Sequence, residues 1–248
     1  MTKHLLLGVN LMNPKVAIII ANYNYGNYII PAIESIINQT YTGELRLYVV
    51  DDGSSDDSWE KISNYPCDWL FTKRIENSGA SVARNTAIEM CWDWADIIGI
   101  LDADDAYYPE KVEKLVTKLI EHPEVGVAYA DYDIVTPTHC RYEFKPSYDR
   151  QILLQRCIVH SNSLIKKNYL EMVRLPNGEF FDSRLHGPAS QGFIGCTEDY
   201  DLWLRLSKIC MITHVPECLA VANEHGNNQS LKMTTEIFQQ HAPILSSR

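Results

Sequence analysis

Short unbroken apolar runs alternate with helically spaced ones through the first half of the chain. Residues 16–21 are continuous and rich in β-branched side chains, the pattern of a strand covered on both faces. Residues 29–39 carry apolar side chains at 29, 30, 33, 36 and 37, which lie on one face of a helix. The same reading predicts strands at 45–50, 69–73, 97–101 and 125–130 and helices at 56–63, 80–92 and 109–121. Acids in the first turn suit the helix at 56, and Pro109 is a favourable first helical residue. Such alternation predicts an α/β fold: a mixed, mostly parallel sheet flanked by helices on both faces.

The second half is less regular. Residues 131–148 include Pro137 and Pro146 with mixed polarity and read as a long connection. A strand is expected at 163–166. Residues 176–195 hold four glycines and two prolines and read as a loop. Apolar spacing gives a helix at 198–209, residues 211–222 look extended but interrupted by Pro216, and 231–241 read as a helix.

Composition narrows the function. With 46% hydrophobic and 22% charged residues in 248, the chain is an ordinary globular sequence with room for a substantial core. Its net charge of −10 argues against nucleic acid as a partner. Seven cysteines without a CxxC pair read as free thiols. Residues 1–11 lack a signal-peptide pattern, and no apolar run is long enough to span a bilayer. A cytoplasmic protein is expected, with peripheral membrane contact left open.

Ligands of open parallel sheets bind beyond the carboxyl ends of the strands. Here those ends read Asn22-Tyr23-Asn24, Asp51-Asp52-Gly53-Ser54-Ser55 and Asp102-Ala103-Asp104-Asp105. Each alone could be a turn or a helix cap. The third packs three carboxylates into four positions, which costs repulsion unless a cation neutralises them. Mg²⁺ or Mn²⁺ is typically held by one or two carboxylates plus substrate phosphates. Such an ion would join an anionic ligand to an acidic protein.

These stretches resemble the family 2 inverting glycosyltransferases of GT-A (Rossmann-like) fold. The resemblance runs through 16–24 and Asn38-Gln39-Thr40-Tyr41, Val49 to Asp56 ("V-D-D-G-S-x-D"), Asn77 to Ile88 ("N-x-G-x-x-x-A-R-N-x-A-I"), Leu101 to Pro109 ("L-D-A-D-D-x-x-x-P", the DXD element) and Glu198 to Arg205 ("E-D-x-D-L-W-L-R"). It implies one domain at 16–230, with a nucleotide-sugar half at 16–130 and an acceptor half at 131–230. An N-terminal extension, 1–15, and a C-terminal helix or tail, 231–248, flank it. It also implies a hexosyltransferase-type enzyme. The donor is a nucleotide-diphosphate sugar, a UDP-sugar favoured, and the acceptor a glycan, lipid-linked or other hydroxyl, in glycan, polysaccharide or glycolipid assembly. Mn²⁺ or Mg²⁺ is the implied cofactor.

By the same resemblance Ala21, Tyr23 and Asn24 lie near the nucleotide base, and Asp52 accepts a hydrogen bond from it. Asn77 and Arg84 sit by base and diphosphate, and Asp102 and Ala103 by the ribose. Asp104 binds the metal, with Asp102 and Asp105 as further candidates. Asp199 is the general base and Glu198 supports the acceptor site. His225 is either a metal or diphosphate ligand or an ordinary histidine, and Asn223 stands where the family usually has a basic residue. The long processive members' membrane helices and "Q-x-x-R-W" motif are absent, which favours transfer of one or a few sugars. A sugar-phosphate nucleotidyltransferase and an inactive nucleotide-sugar-binding module are the alternatives. The first would carry a cationic loop after strand one, where Asn22 to Gly26 has no cation.

Overall fold

The computed structural model describes residues 13–187, 197–226, 228 and 235–248. One nine-stranded sheet forms its centre: β1 (Val16–Asn22), β2 (Leu45–Asp51), β3 (Leu70–Arg74), β4 (Ile97–Ile100), β5 (Ala106–Tyr107), β6 (Val125–Val135), β7 (Cys140–Glu143), β8 (Leu164–Lys166) and β9 (Met211–Asn223). Spatial order is β3-β2-β1-β4-β8-β6-β9-β5, with β7 paired to β6. Strands β1 to β4 are mutually parallel. Strand β8 is antiparallel to both β4 and β6, so β6 and its parallel neighbour β9 share the direction of β1. The carboxyl ends of β1, β2, β4, β6 and β9 therefore open on the same edge.

Both faces are covered, as the unbroken apolar strands require. Val16, Ile18 and Ile20 face α1 (Ile29–Ile37) and α4 (Lys111–Glu121), which bury Ile29, Ile33, Ile36, Val112, Leu115 and Leu119. Ala17 and Ile19 face α3 (Ala80–Cys91) and α7 (Glu198–Leu206). Each buried Val, Leu or Ile among them contributes about 1.5–3 kcal/mol of burial free energy. The buried side of α3 includes the small residues Ser81, Ala83 and Ala87 beside Arg84, Ile88 and Cys91. The shorter helices are α2 (Ser58–Ser63), α5 (Arg150–Leu153) and α6 (Lys167–Met172), and α8 (Thr235–Ser246) ends the chain. No helix among the described residues is long and apolar enough to cross a membrane.

Three expectations need correction. Residues 131–148 are not simply a connection: β6 runs on to Val135 and turns back through β7. Asp131, which reads as a loop residue, is buried with its carboxylate satisfied by Lys145 N (2.7 Å), Tyr142 Oη (2.7 Å) and His214 Nε2 (2.8 Å). Pro216 does not interrupt β9. Ala130 pairs with Val215 and Asp131 with Cys218, so Pro216 and Glu217 bulge out of the ladder. Helix α4 begins at Lys111, because the Pro109 carbonyl bonds to Thr40 N (2.8 Å) instead of starting a helix. The N-terminal extension over 1–12, the loop over 188–196 and the start of the last helix at 231–234 lie outside the described residues.

Candidate active site

A cleft of about 450 Å³ lies beyond the shared strand edge. Its walls include Ala21, Tyr23, Asp52, Asn77, Arg84, Asp102, Ala103, Asp104, Asp105, Glu198 and Asp199. Residues from five separate chain segments thus meet in one place. Asn24 and His225 are not among the lining residues. The Asn24 amide oxygen instead accepts from Ser55 N (2.8 Å) and Asp56 N (3.3 Å), stapling the loop after β2 to the loop after β1.

The β2 end is held from within. Asp51 accepts from Asn22 Nδ2 (2.9 Å) and Ser54 N (3.1 Å), and Arg74 Nε lies 3.3 Å from it. The Asp52 carboxylate accepts from Ser78 N (2.7 Å) and Gly79 N (2.8 Å), the backbone leading into α3. Asn77 Nδ2 donates to the Asp52 carbonyl (3.2 Å). Burial raises the Asp52 pKa in spite of its two backbone donors. Gly79 has φ +96°, and a Cβ there would stand 2.4 Å from the Gly187 carbonyl carbon. Glycine is needed for the turn and for the contact that brings His186 over the cleft.

Arg84, in the second turn of α3, is the hub. Its Nη2 donates to Asp102 Oδ1 (2.7 Å), its Nη1 donates to Glu198 Oε1, and Asp199 Oδ1 stands 3.8 Å from Nη1. Burial alone would lower its pKa, but Asp199, Glu198 and Asp102 together push it up. The resemblance puts Arg84 by base and diphosphate; the structure sets its guanidinium among three acids. Glu198 Oε1 also meets His186 Nδ1 at 2.8 Å. Burial works against the Glu198 charge, yet His186 and Arg84 prevail and hold its pKa down to about 2.

Asp199 differs from its neighbour. It lines the cleft with Oδ1 buried and without a hydrogen-bond donor among the described residues. Desolvation raises its pKa to about 8, against the pull of Arg84 and with a push from Glu198 and Asp102. Two adjacent acids in one helical turn are thus driven to opposite protonation behaviour. Thr197, just before α7, contacts His241 Nδ1 of α8 through its hydroxyl (2.6 Å), and Asp201 is tied to Arg205 and Arg248.

The acidic cluster divides in two. Asp105 is fully engaged, by Asn162 Nδ2 (2.8 Å) and Asn223 N (3.1 Å), and burial followed by repulsion from Asp102 and Asp104 raises its pKa strongly. Asp104 Oδ2 faces His225 Nε2 (3.1 Å) and Asn228 Nδ2 (3.1 Å). The His225 ring stacks on Tyr28 at 4.5 Å, which fixes its direction. Asp102 bonds to Arg84 and to Ser161 Oγ (2.6 Å). Among the described residues no three His, Cys, Asp or Glu side chains form a ready metal cage. The pair Asp104 Oδ2 and His225 Nε2 nevertheless suits a divalent ion. An oxygen and an imidazole nitrogen are a donor set that Mn²⁺ accepts, and their 3.1 Å separation is close to that of two adjacent ligands on bonds of about 2.0–2.2 Å.

His186, Ser161, Asn162 and Asn228 are further groups of the site. Asn228 belongs to the stretch Glu224 to Ser230, which resembles the family's "H-x-x-N-x-S" motif; the local sequence of the other three carries no sign of the site, and the fold brings them to the acids.

The fold and the site meet in comparisons with known proteins. The model of "Glycosyl transferase family 2" matches residues 17–171, and the chain belongs to that family. It is 28% identical to the chondroitin synthase of Escherichia coli over 243 residues, covering 94% of this chain and 32% of that one. The chain thus spans about a third of that relative's length. Among solved structures, TarS 1-349 of S. aureus superposes with a TM-score of 0.70 at 16% identity, over 94% of this chain and 64% of that one, and TarS 1-349 is also known with UDP and with UDP-GlcNAc. The mannosyltransferase PcManGT of Pyrobaculum calidifontis, solved with GDP-Man and Mn²⁺, gives a TM-score of 0.65 at 18% identity, over 94% and 68%. The fold is GT-A, and the domain is that of a glycosyltransferase.

Proposed function

We propose that this domain transfers a sugar from a nucleotide-diphosphate donor, a UDP-sugar favoured, to an acceptor hydroxyl with inversion at the anomeric carbon. The observation that carries the reading is the Asp199 carboxylate: it faces the cleft, its Oδ1 is buried without a hydrogen-bond donor among the described residues, and its pKa is raised to about 8. A group of that kind removes a hydroxyl proton near neutral pH. The UDP and UDP-GlcNAc complexes of TarS 1-349 support a uridine-diphosphate donor.

Asp199 takes the proton of the acceptor hydroxyl as that oxygen bonds to the anomeric carbon. The bond from that carbon to the diphosphate oxygen breaks in the same step, and the electron pair leaves with the nucleotide diphosphate. Single displacement inverts the carbon. Arg84 orients Asp199 and Glu198 and keeps Asp102 in place. Tyr23 and Asp52 hold the base, with Ala21 and Asn77 beside them. Asp104 and His225 would hold a divalent cation, Mn²⁺ or Mg²⁺, which when bound stabilises charge on the departing diphosphate.

UDP release from UDP-GlcNAc with Mn²⁺ tests the reading, beside calorimetry of UDP binding. Wild-type protein is expected to bind UDP more tightly with Mn²⁺ than without it and to release UDP slowly to water. A protein that instead forms UDP-sugar from UTP and a sugar phosphate would overturn it.

A further inference from the structure

Two cationic side chains other than histidine line the cleft among the described residues, Arg84 and Lys145. Arg84 is committed to Asp102, Glu198 and Asp199. Lys145 has no carboxylate within ion-pair distance among the described residues. Its Nζ lies over the Tyr132 ring, 5.1 Å from the centroid. The nearby acids are occupied: Asp131 by Lys145 N, Tyr142 and His214, and Glu143 by Arg141 at 3.7 Å. Segment 188–196, outside the described residues, contains no Asp or Glu that could serve as a counter-ion. Burial pulls the Lys145 pKa down, the signature of a desolvated ammonium short of anionic company.

Beside it stands a neutral donor. Asn162 N donates to His160 Nδ1 (3.1 Å), so the ring proton resides on Nε2. Burial, with Lys145 and Lys111, holds the His160 pKa well below its ordinary value, so the ring is an uncharged N–H donor. It packs on Tyr132 at 4.1 Å between centroids, and Tyr132, Lys145 and His160 all line the cleft. Their place in the sheet matters. Strand β6 lies four strand positions from β2, roughly 19 Å at the usual strand spacing, with the Asp102 strand between them. Lys145 is pinned to β6 through Asp131, on the far side of the acids from Asp52.

We infer that Lys145 and His160 form an anion subsite for the acceptor, which takes a carboxylate or phosphate carried next to the hydroxyl that is glycosylated. The inference rests on the transfer reading above for the word acceptor, and on its own geometry for the word anion. A charged hydrogen bond in a partly desolvated cleft favours such ligands strongly over neutral ones.

Ligand-observed NMR titration tests it with three probes: D-glucuronate, glycerol phosphate and neutral D-glucose, each on protein saturated with UDP and Mn²⁺ and on protein without them. At least one anion is expected to bind about tenfold or more tightly than glucose with UDP present. Glucuronate alone winning marks a sugar acid, glycerol phosphate alone a phosphate-bearing acceptor. Lys145→Gln is expected to abolish the preference and Lys145→Arg to keep most of it. The inference is overturned if glucose binds as well as both anions, if Lys145→Gln keeps the preference, or if UDP displaces the anion, which would put Lys145 in the donor site. The UDP titration of wild-type protein tests the donor reading by itself, so the two can fail separately.

Discussion

Asp199 Oδ1 stands 3.8 Å from Arg84 Nη1, while Glu198 on the same helical turn donates nothing and accepts directly from that nitrogen. The guanidinium is one charge shared unequally. Glu198 takes the hydrogen bond and stays ionised; Asp199 receives field without a bond and keeps a high proton affinity. A base must be near its partner to be oriented and unbonded to be available, and this spacing meets both needs.

Asp199→Asn is expected to keep UDP binding and to lower transfer by about 10²–10⁴-fold, the usual contribution of a general base. It is also expected to raise Tm at pH 8, because it removes a largely desolvated charge without removing volume. UDP release and a thermal melt measure the two effects on the same sample. Normal turnover would remove Asp199 from the base role.

The pH dependence follows from the same group. With its pKa raised to about 8, Asp199 is mostly protonated at pH 7, so kcat should climb with pH and level off above about 8. Stability runs the other way. Folded Asp199 holds its proton up to about pH 8 while the unfolded residue loses it near 4, so this contribution is full below about pH 4 and is lost as pH rises through about 8. Glu198 acts oppositely: its lowered pKa gives stability above about pH 4.5 that is lost as pH falls towards 2. Rate profiles and melts from pH 5 to 9 are expected to show activity rising in the range where the Asp199 contribution falls.

Arg84→Met is expected to destabilise the fold by about 3–5 kcal/mol, since it leaves buried acids without their cation. Arg84→Lys keeps charge but loses the fork that reaches Asp102 and Glu198 at once, so a smaller loss is expected. Urea unfolding separates them; equal stabilities would contradict the hub role.

Asp104→Ala and His225→Ala are each expected to raise the UDP Kd at least about tenfold, 1.4 kcal/mol, with Mn²⁺ present and to change it little without Mn²⁺. Asp105→Asn should be milder, because that carboxylate is spent on Asn162 and the Asn223 backbone. Calorimetry with and without the ion reads all three.

Gly79→Ala is expected to cost about 1–3 kcal/mol from its φ of +96° alone. The added Cβ would also displace the Gly187 backbone, so a lower transfer rate should accompany the lower Tm.

The apolar runs at 16–20, 47–50 and 97–100 determined a sheet covered on both faces, because each would be unstable with either face in water. With the motifs at 49–56, 77–88, 101–109 and 198–205 they were sufficient to name the family and to bring Asp52, Arg84, Asp104 and Asp199 forward as site residues. What the sequence could not carry was pairing. Local periodicity says nothing of a partner outside the same element, so Arg84 gave no sign of joining Asp102 to Glu198, nor Asp105 of having its carboxylate tied to Asn162. Asp131 and Pro216 look like breaks in a strand until a second strand and a histidine satisfy the one and a bulge absorbs the other. Protonation was beyond reach for the same reason. Glu198 and Asp199 are neighbours with nearly the same chemistry, and only tertiary burial and the unequal distances to Arg84 and His186 send their pKa values apart.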